Sequence, residues 1–126
     1  MSFEVGASRS LRALHRLPWG SDAEREPHEH DYRIEVVVER DGVDDRGVVC
    51  DLDVLRAGLD DVLGRLEGTD LDAIRPADVE GVTVELLARW LHGALTDVAL
   101  RAGGELLAIR VWEAPDAFGG YRAAVR

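Results

Sequence analysis

His28-Glu29-His30-Asp31-Tyr32, running on into Arg33-Ile34-Glu35-Val36-Val37-Val38-Glu39-Arg40, is the stretch on which the fold turns. From Tyr32 to Arg40 the residues alternate and are rich in Val and Ile, the mark of a strand. Asp41-Gly42 ends it. His28 and His30 sit two apart just ahead of this run, and on a strand residues i and i+2 face the same way. Two imidazoles on one face are half of a metal site. His15, from an earlier extended stretch, is the candidate third ligand. Three neutral imidazoles leave one tetrahedral position open, the arrangement of a catalytic zinc. The plain alternative is three surface or capping histidines. Glu29, between the pair, is predicted to point to the opposite sheet face.

Residues 3–16, upstream, read as a strand pair or one long bent strand, with Gly6 and Ser8 as breaks. Pro18 to Asp22 are turn residues, and 20–27 form a charged loop ending at Pro27. Downstream, Arg46 to Cys50 reads as a short extended piece. Asp51 is a candidate N-cap, followed by Leu52, Leu55, Leu59, Val62, Leu63 and Leu66 at helical spacing. Residues 67–82 read as a loop. Thr83 caps a second helix with Val84, Leu87, Leu91, Leu95 and Val98 on one face. Gly103-Gly104 ends it. Leu106 to Trp112 and Tyr121 to Val125 are the third and fourth strands, with Asp116 to Gly120 as their turn. His92 reads as a solvated or interface residue. Strands, two helices and strands make an α+β layout, helices on one face of an antiparallel sheet.

A chain of 126 residues fits a single domain, 1–126. Its formal net charge of -10 argues against nucleic acid or an anionic membrane as partner. A local metal or arginine can still serve an anionic small substrate. The one cysteine, Cys50, excludes an internal disulfide and reads as a small buried residue. The first residues, Met1 to Val5, lack the apolar core of a secretory signal, and no stretch is long enough to span a bilayer. Cytoplasm is the expected location.

Five segments, in order, resemble the 6-pyruvoyl tetrahydropterin synthase and 6-carboxytetrahydropterin synthase family. They are Leu11 to Pro18 around His15; His28 to Tyr32; Gly47 to Leu52; Gly81 to Glu85 with Leu87 to Leu91; and Val111-Trp112-Glu113 with Tyr121 downstream. The resemblance implies the tunnelling fold, a four-stranded antiparallel sheet with two helices on one side. It also implies a homo-oligomer, a hexamer of stacked trimers whose sheets close into a barrel, with sites at subunit interfaces. It makes His15, His28 and His30 zinc ligands and implies a pterin-like substrate such as dihydroneopterin triphosphate. Glu113 matches the residue that anchors the pterin ring, since a carboxylate accepts two hydrogen bonds from a guanidine-like edge. Thr83 and Glu85 match pocket positions, though Thr83 also suits an N-cap and Glu85 the helix dipole.

Two departures stand out. The family's cysteine, four residues before the first histidine of the pair, is Glu24 here. Its Asp-His dyad falls on Glu67-Gly68, and a following asparagine on Asp72. Some members use a glutamate in the cysteine's place and cleave the side chain differently, so Glu24 or its neighbour Glu26 is the candidate general base; the alternative is a plain loop glutamate. The expectation is a zinc-dependent, lyase-type pterin enzyme with altered chemistry. A non-catalytic zinc- and pterin-binding protein is the alternative, and a structural oligomer with a vestigial site a third.

Overall fold

The computed structural model describes residues 2–125. Four strands, β1 (Phe3–His15), β2 (His28–Arg40), β3 (Leu106–Ala114) and β4 (Ala117–Ala124), form one sheet in the order β1-β2-β3-β4. Every neighbouring pair is antiparallel. A short helix, α1 (Asp22–Arg25), links the first two strands. Two long helices, α2 (Leu52–Leu66) and α3 (Val84–Ala102), lie between β2 and β3, with a 3-10 helix at Leu71–Ile74 between them.

Alternation along the strands decides which face is covered. Leu11 and Ala13 of β1, Tyr32, Ile34, Val36 and Val38 of β2, and Leu107, Ile109 and Val111 of β3 are buried in one cluster. Leu55, Leu59 and Leu63 of α2 and Leu87, Leu91 and Leu95 of α3 complete that cluster, so both long helices cover the same face. Full burial of a leucine contributes about 1.5–3 kcal/mol, and Leu55, Leu59, Leu87, Leu91 and Leu95 are each 0–1 % exposed. The other face is open and laced with charge: Glu35 binds Arg33, Arg110 and the Trp112 indole, and Glu39 binds Arg122.

Both expected caps form. Asp51 accepts from the backbone N–H groups of Asp53 and Val54, and Thr83 from that of Leu86. Other boundaries differ from the expectation. β1 is one unbroken strand, because Gly6 lies flat against β2, where a Cβ would come within 2.7 Å of the Val36 carbonyl oxygen. Part of the 20–27 loop is α1. Arg46 to Cys50 is a turn rather than a strand, drawn in by the Asp44 carboxylate, which accepts from the Arg46 and Val48 N–H groups. Gly119 and Gly120 belong to β4, opposite Val111 and Arg110, so the turn shortens to Pro115-Asp116.

The 67–82 segment is more than a loop. Gly68 donates to the Arg12 carbonyl, Leu14 donates to that of Thr69, and the Glu67 carboxylate accepts from the Arg12 N–H. The segment thereby zips onto the outer edge of β1.

Candidate functional site

His15 closes β1 and His28 opens β2, and the register places them directly opposite each other. His30 follows two residues on, on the same face. The His15 ring centroid lies 4.5 Å from that of His28 and 5.1 Å from that of His30. One ring nitrogen from each of the three falls within 4.8 Å of the others. Glu29 is exposed, in keeping with its expected outward direction.

The surroundings fix which nitrogens are free. His28 Nδ1 lies 3.0 Å from the Glu26 carbonyl oxygen, and His30 Nε2 lies 3.2 Å from that of Glu113. A carbonyl only accepts, so both ring nitrogens donate. The opposite nitrogens, Nε2 of His28 and Nδ1 of His30, are left with lone pairs, the usual arrangement behind metal-ligating histidines. His15 is buried, and its Nδ1 has no hydrogen-bond partner among the described residues. Burial, and then repulsion from His28, lower its pKa and keep it neutral. The Val82 backbone approaches the ring and opposes that shift without reaching hydrogen-bond geometry. Two rings each oriented by a backbone carbonyl and a third with a buried orphaned nitrogen make a donor set that suits zinc.

Beside the cluster, β3 leaves β2. Their ladder ends at Arg33 and Trp112, and β3 is irregular between Trp112 and Ala114. The gap opens a cavity of about 470 Å³, lined by Tyr32, Trp112, Glu113, Ser10, Asp31 and Arg33. Glu113 therefore touches both features: its carbonyl orients His30, and the residue, exposed, is among those that line the cavity. Tyr32, which sequence reasoning noted only as the end of a motif, stacks near His30 at 4.8 Å. Burial first, and then the Glu113 charge, push its phenol pKa up. Its shared parity with His28 and His30 was the available signal.

Glu24 stands near the histidines, which act weakly on its charge, but its carboxylate is committed elsewhere. Ser21 N–H and Oγ both bind its Oε1, at 3.2 and 2.9 Å, closing a capping box on α1. Those bonds lower its pKa. Glu26 gives its carbonyl to His28. Thr83 caps α3 and Glu85 lies in its first turn against Gly119; neither lines the Glu113 cavity. Glu67 and Gly68 are occupied with the β1 edge. Cys50 is buried, and burial, then Asp51, push its thiol pKa up. His92 is not solvated: it is 6 % exposed, and its Nε2 donates to the Ala123 carbonyl at 3.1 Å, tying α3 to β4.

The family model described as 6-pyruvoyl tetrahydropterin synthase matches residues 4–124. No curated protein matches the chain. Among solved structures, the Caenorhabditis elegans 6-pyruvoyl tetrahydropterin synthase is 25% identical, with 98% of this chain and 96% of that one covered and a TM-score of 0.72. The Plasmodium falciparum synthase is 14% identical, with 98% of each chain covered and a TM-score of 0.74. A Plasmodium vivax synthase, described as a catalytic-residue mutant with alanine in place of glutamate, is 11% identical; 98% of this chain and 99% of that one are covered, at a TM-score of 0.75. The sheet and its two long helices match the tunnelling fold of these structures. No helix among the described residues is long and apolar enough to cross a membrane.

Proposed function

The chain belongs to the 6-pyruvoyl tetrahydropterin synthase family, and from that premise we propose that it is a zinc-dependent, lyase-type enzyme acting on dihydroneopterin triphosphate or a related pterin, with chemistry altered from the standard synthases. One observation carries the reading. Three histidines converge to within 4.8 Å, two oriented by backbone carbonyls and the third with an orphaned buried nitrogen.

In this reading His15, His28 and His30 hold the ion. Bound zinc supplies a Lewis acid for oxygens on the substrate side chain. The Glu26 and Glu113 carbonyls hold the His28 and His30 rings in their metal-facing tautomers. The Glu113 carboxylate accepts from the amino group and ring N–H of the pterin. Orientation of ring and ligand is then coupled through one residue. Thr83 and Glu85 join the pocket only in an assembly, a hexamer of stacked trimers with the site between subunits, since neither lines the Glu113 cavity within one chain.

Glu24 is the candidate proton carrier: it lies close enough to His28 and His15 to feel their charge. The Plasmodium vivax structure, whose description makes a glutamate catalytic, supports that reading. The commitment of Glu24 to Ser21 favours a second one. A carboxylate stabilised as the anion is a weak base at neutral pH, and a non-catalytic zinc- and pterin-binding protein needs no base.

Metal analysis and substrate incubation separate these readings. Purified protein should carry about one zinc per chain and lose it on His28→Ala. Turnover of dihydroneopterin triphosphate that vanishes in Glu24→Ala, with zinc retained, supports the enzyme. Pterin binding without turnover, unchanged in Glu24→Ala, supports the binding protein. Rapid formation of the standard 6-pyruvoyl or 6-carboxy product would refute the altered chemistry, and absence of zinc with no effect of His28→Ala would refute both readings.

A further inference from the structure

Tyr32 is a buried polar side chain whose hydroxyl has no hydrogen-bond partner among the described residues. It follows His30 at i+2 on β2, so alternation puts it on the histidine face. Its ring stands 4.8 Å from that of His30 and 5.9 Å from that of His15. The same residue lines the cavity that Glu113 borders. Tyr32 thus lies between the two parts of the site, the nitrogen cluster and the ring anchor.

The residue is 3 % exposed, and its hydroxyl makes no hydrogen bond among the described residues. Within those residues, His15 Nδ1 is the one sealed side-chain nitrogen or oxygen without a partner. The Tyr32 oxygen is therefore not sealed, and the residue is among those that line the cavity. Phenylalanine would fill the same volume, so packing alone does not call for the hydroxyl. The hydroxyl makes sense where its partner arrives from outside.

We propose that Tyr32 is a substrate-binding residue whose hydroxyl donates a hydrogen bond to an oxygen on the substituent joining the substrate ring to the metal centre. The inference rests on the pterin reading above and adds a selectivity to it. Glu113 reads the ring, whereas Tyr32 reads whether the side chain carries an oxygen. A pterin with a hydroxyl or carbonyl on its side chain satisfies the phenol; a bare pterin leaves it unpaired. Sites built to pair a substrate oxygen discriminate through that unpaired group.

The test is calorimetric titration of zinc-loaded protein with two ligands, 7,8-dihydroneopterin, whose side chain is hydroxylated, and pterin, which has none. Tyr32→Phe should weaken dihydroneopterin about tenfold and leave pterin within about twofold. Equal losses for both ligands, or none for either, overturn the inference while the pterin reading stands. Wild-type protein that holds zinc and binds neither ligand overturns the pterin reading, and this inference with it. Because the oxygen has no hydrogen-bond partner among the described residues, Tyr32→Phe should melt at or above the wild-type temperature. A variant that fails to fold would itself refute the assignment, since it would give the hydroxyl a structural role.

Discussion

Replacing Gly119 with alanine tests how closely α3 is seated on the sheet. A Cβ at that position would lie 2.6 Å from Val84 Cγ2, 2.9 Å from Glu85 Oε1 and 3.1 Å from the Glu85 nitrogen. The glutamate oxygen can swing away. The valine is β-branched and half-buried, and the nitrogen is backbone in the first turn of α3, so relief requires the helix start to move. Overpacking of this kind costs ~1–3 kcal/mol. At this chain length each kcal/mol moves the melting temperature by about 3–5 °C, so Gly119→Ala should melt about 3–15 °C lower. The displaced turn follows directly on Val82, whose backbone approaches His15. Zinc affinity should therefore fall as well, read by competition with a chelating dye. Gly93→Ala is the control: nothing lies within 4 Å of its added carbon, and it sits inside α3. Alanine is favoured over glycine there by ~0.8–1.0 kcal/mol, so that variant should melt a few degrees higher. Gly119→Ala melting level with the wild type would refute the reasoning, because it would mean the helix start is free to shift.

His92→Leu should lower stability by about 1–3 kcal/mol, since it leaves the Ala123 carbonyl without its donor; denaturant melts measure this, and zinc content should stay unchanged. The Asp44 carboxyl has a lowered pKa, chiefly through the Val48 N–H. A depressed folded pKa gives stability that is present above the ordinary aspartate range and is lost as pH falls through the folded value. Protection of the Arg46 and Val48 amides, taken relative to the intrinsic exchange rate at each pH, should therefore fall only below the ordinary range, and loss of protection near neutrality would contradict it. On the zinc reading, chelation should lower the melting temperature, and zinc restored at a hundredfold excess over its Kd should return about 2.7 kcal/mol.

Much of this architecture was legible because it rests on local rules. Asp51 and Thr83 cap because their short oxygens reach N–H groups two or three residues on. The β2 pattern sets its buried face by parity alone, and that same parity aligned His28 and His30. The errors fall where a contact from far along the chain decides. Gly119 and Gly120 carry turn chemistry, yet they serve close packing against α3 and β3, which only the assembled sheet reveals. His92 is polar and mid-helix, and its burial depends on Ala123, thirty-one residues on. Glu24 was read as the candidate general base, with a plain loop glutamate as the alternative; the capping box that engages it was written in Ser21, three residues before. At the site, the histidines were readable from spacing, whereas the separation of Thr83 and Glu85 from the Glu113 cavity depends on how α3 crosses the sheet.

The zipped stretch of β1 bears on what can add to this sheet. Arg12 and Leu14 turn backbone groups outward, and the 67–70 segment already uses them. By alternation, Glu4, Gly6, Ser8 and Ser10 turn theirs outward too, with the Ser8 carbonyl partly screened by the Arg9 guanidinium. A strand arriving from another molecule finds free hydrogen-bonding groups along the first part of β1 and none beyond Ser10. It has a stop built into its track, one turn of the ladder short of the histidines. Growth at this edge is therefore self-limiting, and the mouth of the histidine cluster stays clear of any strand that templates there.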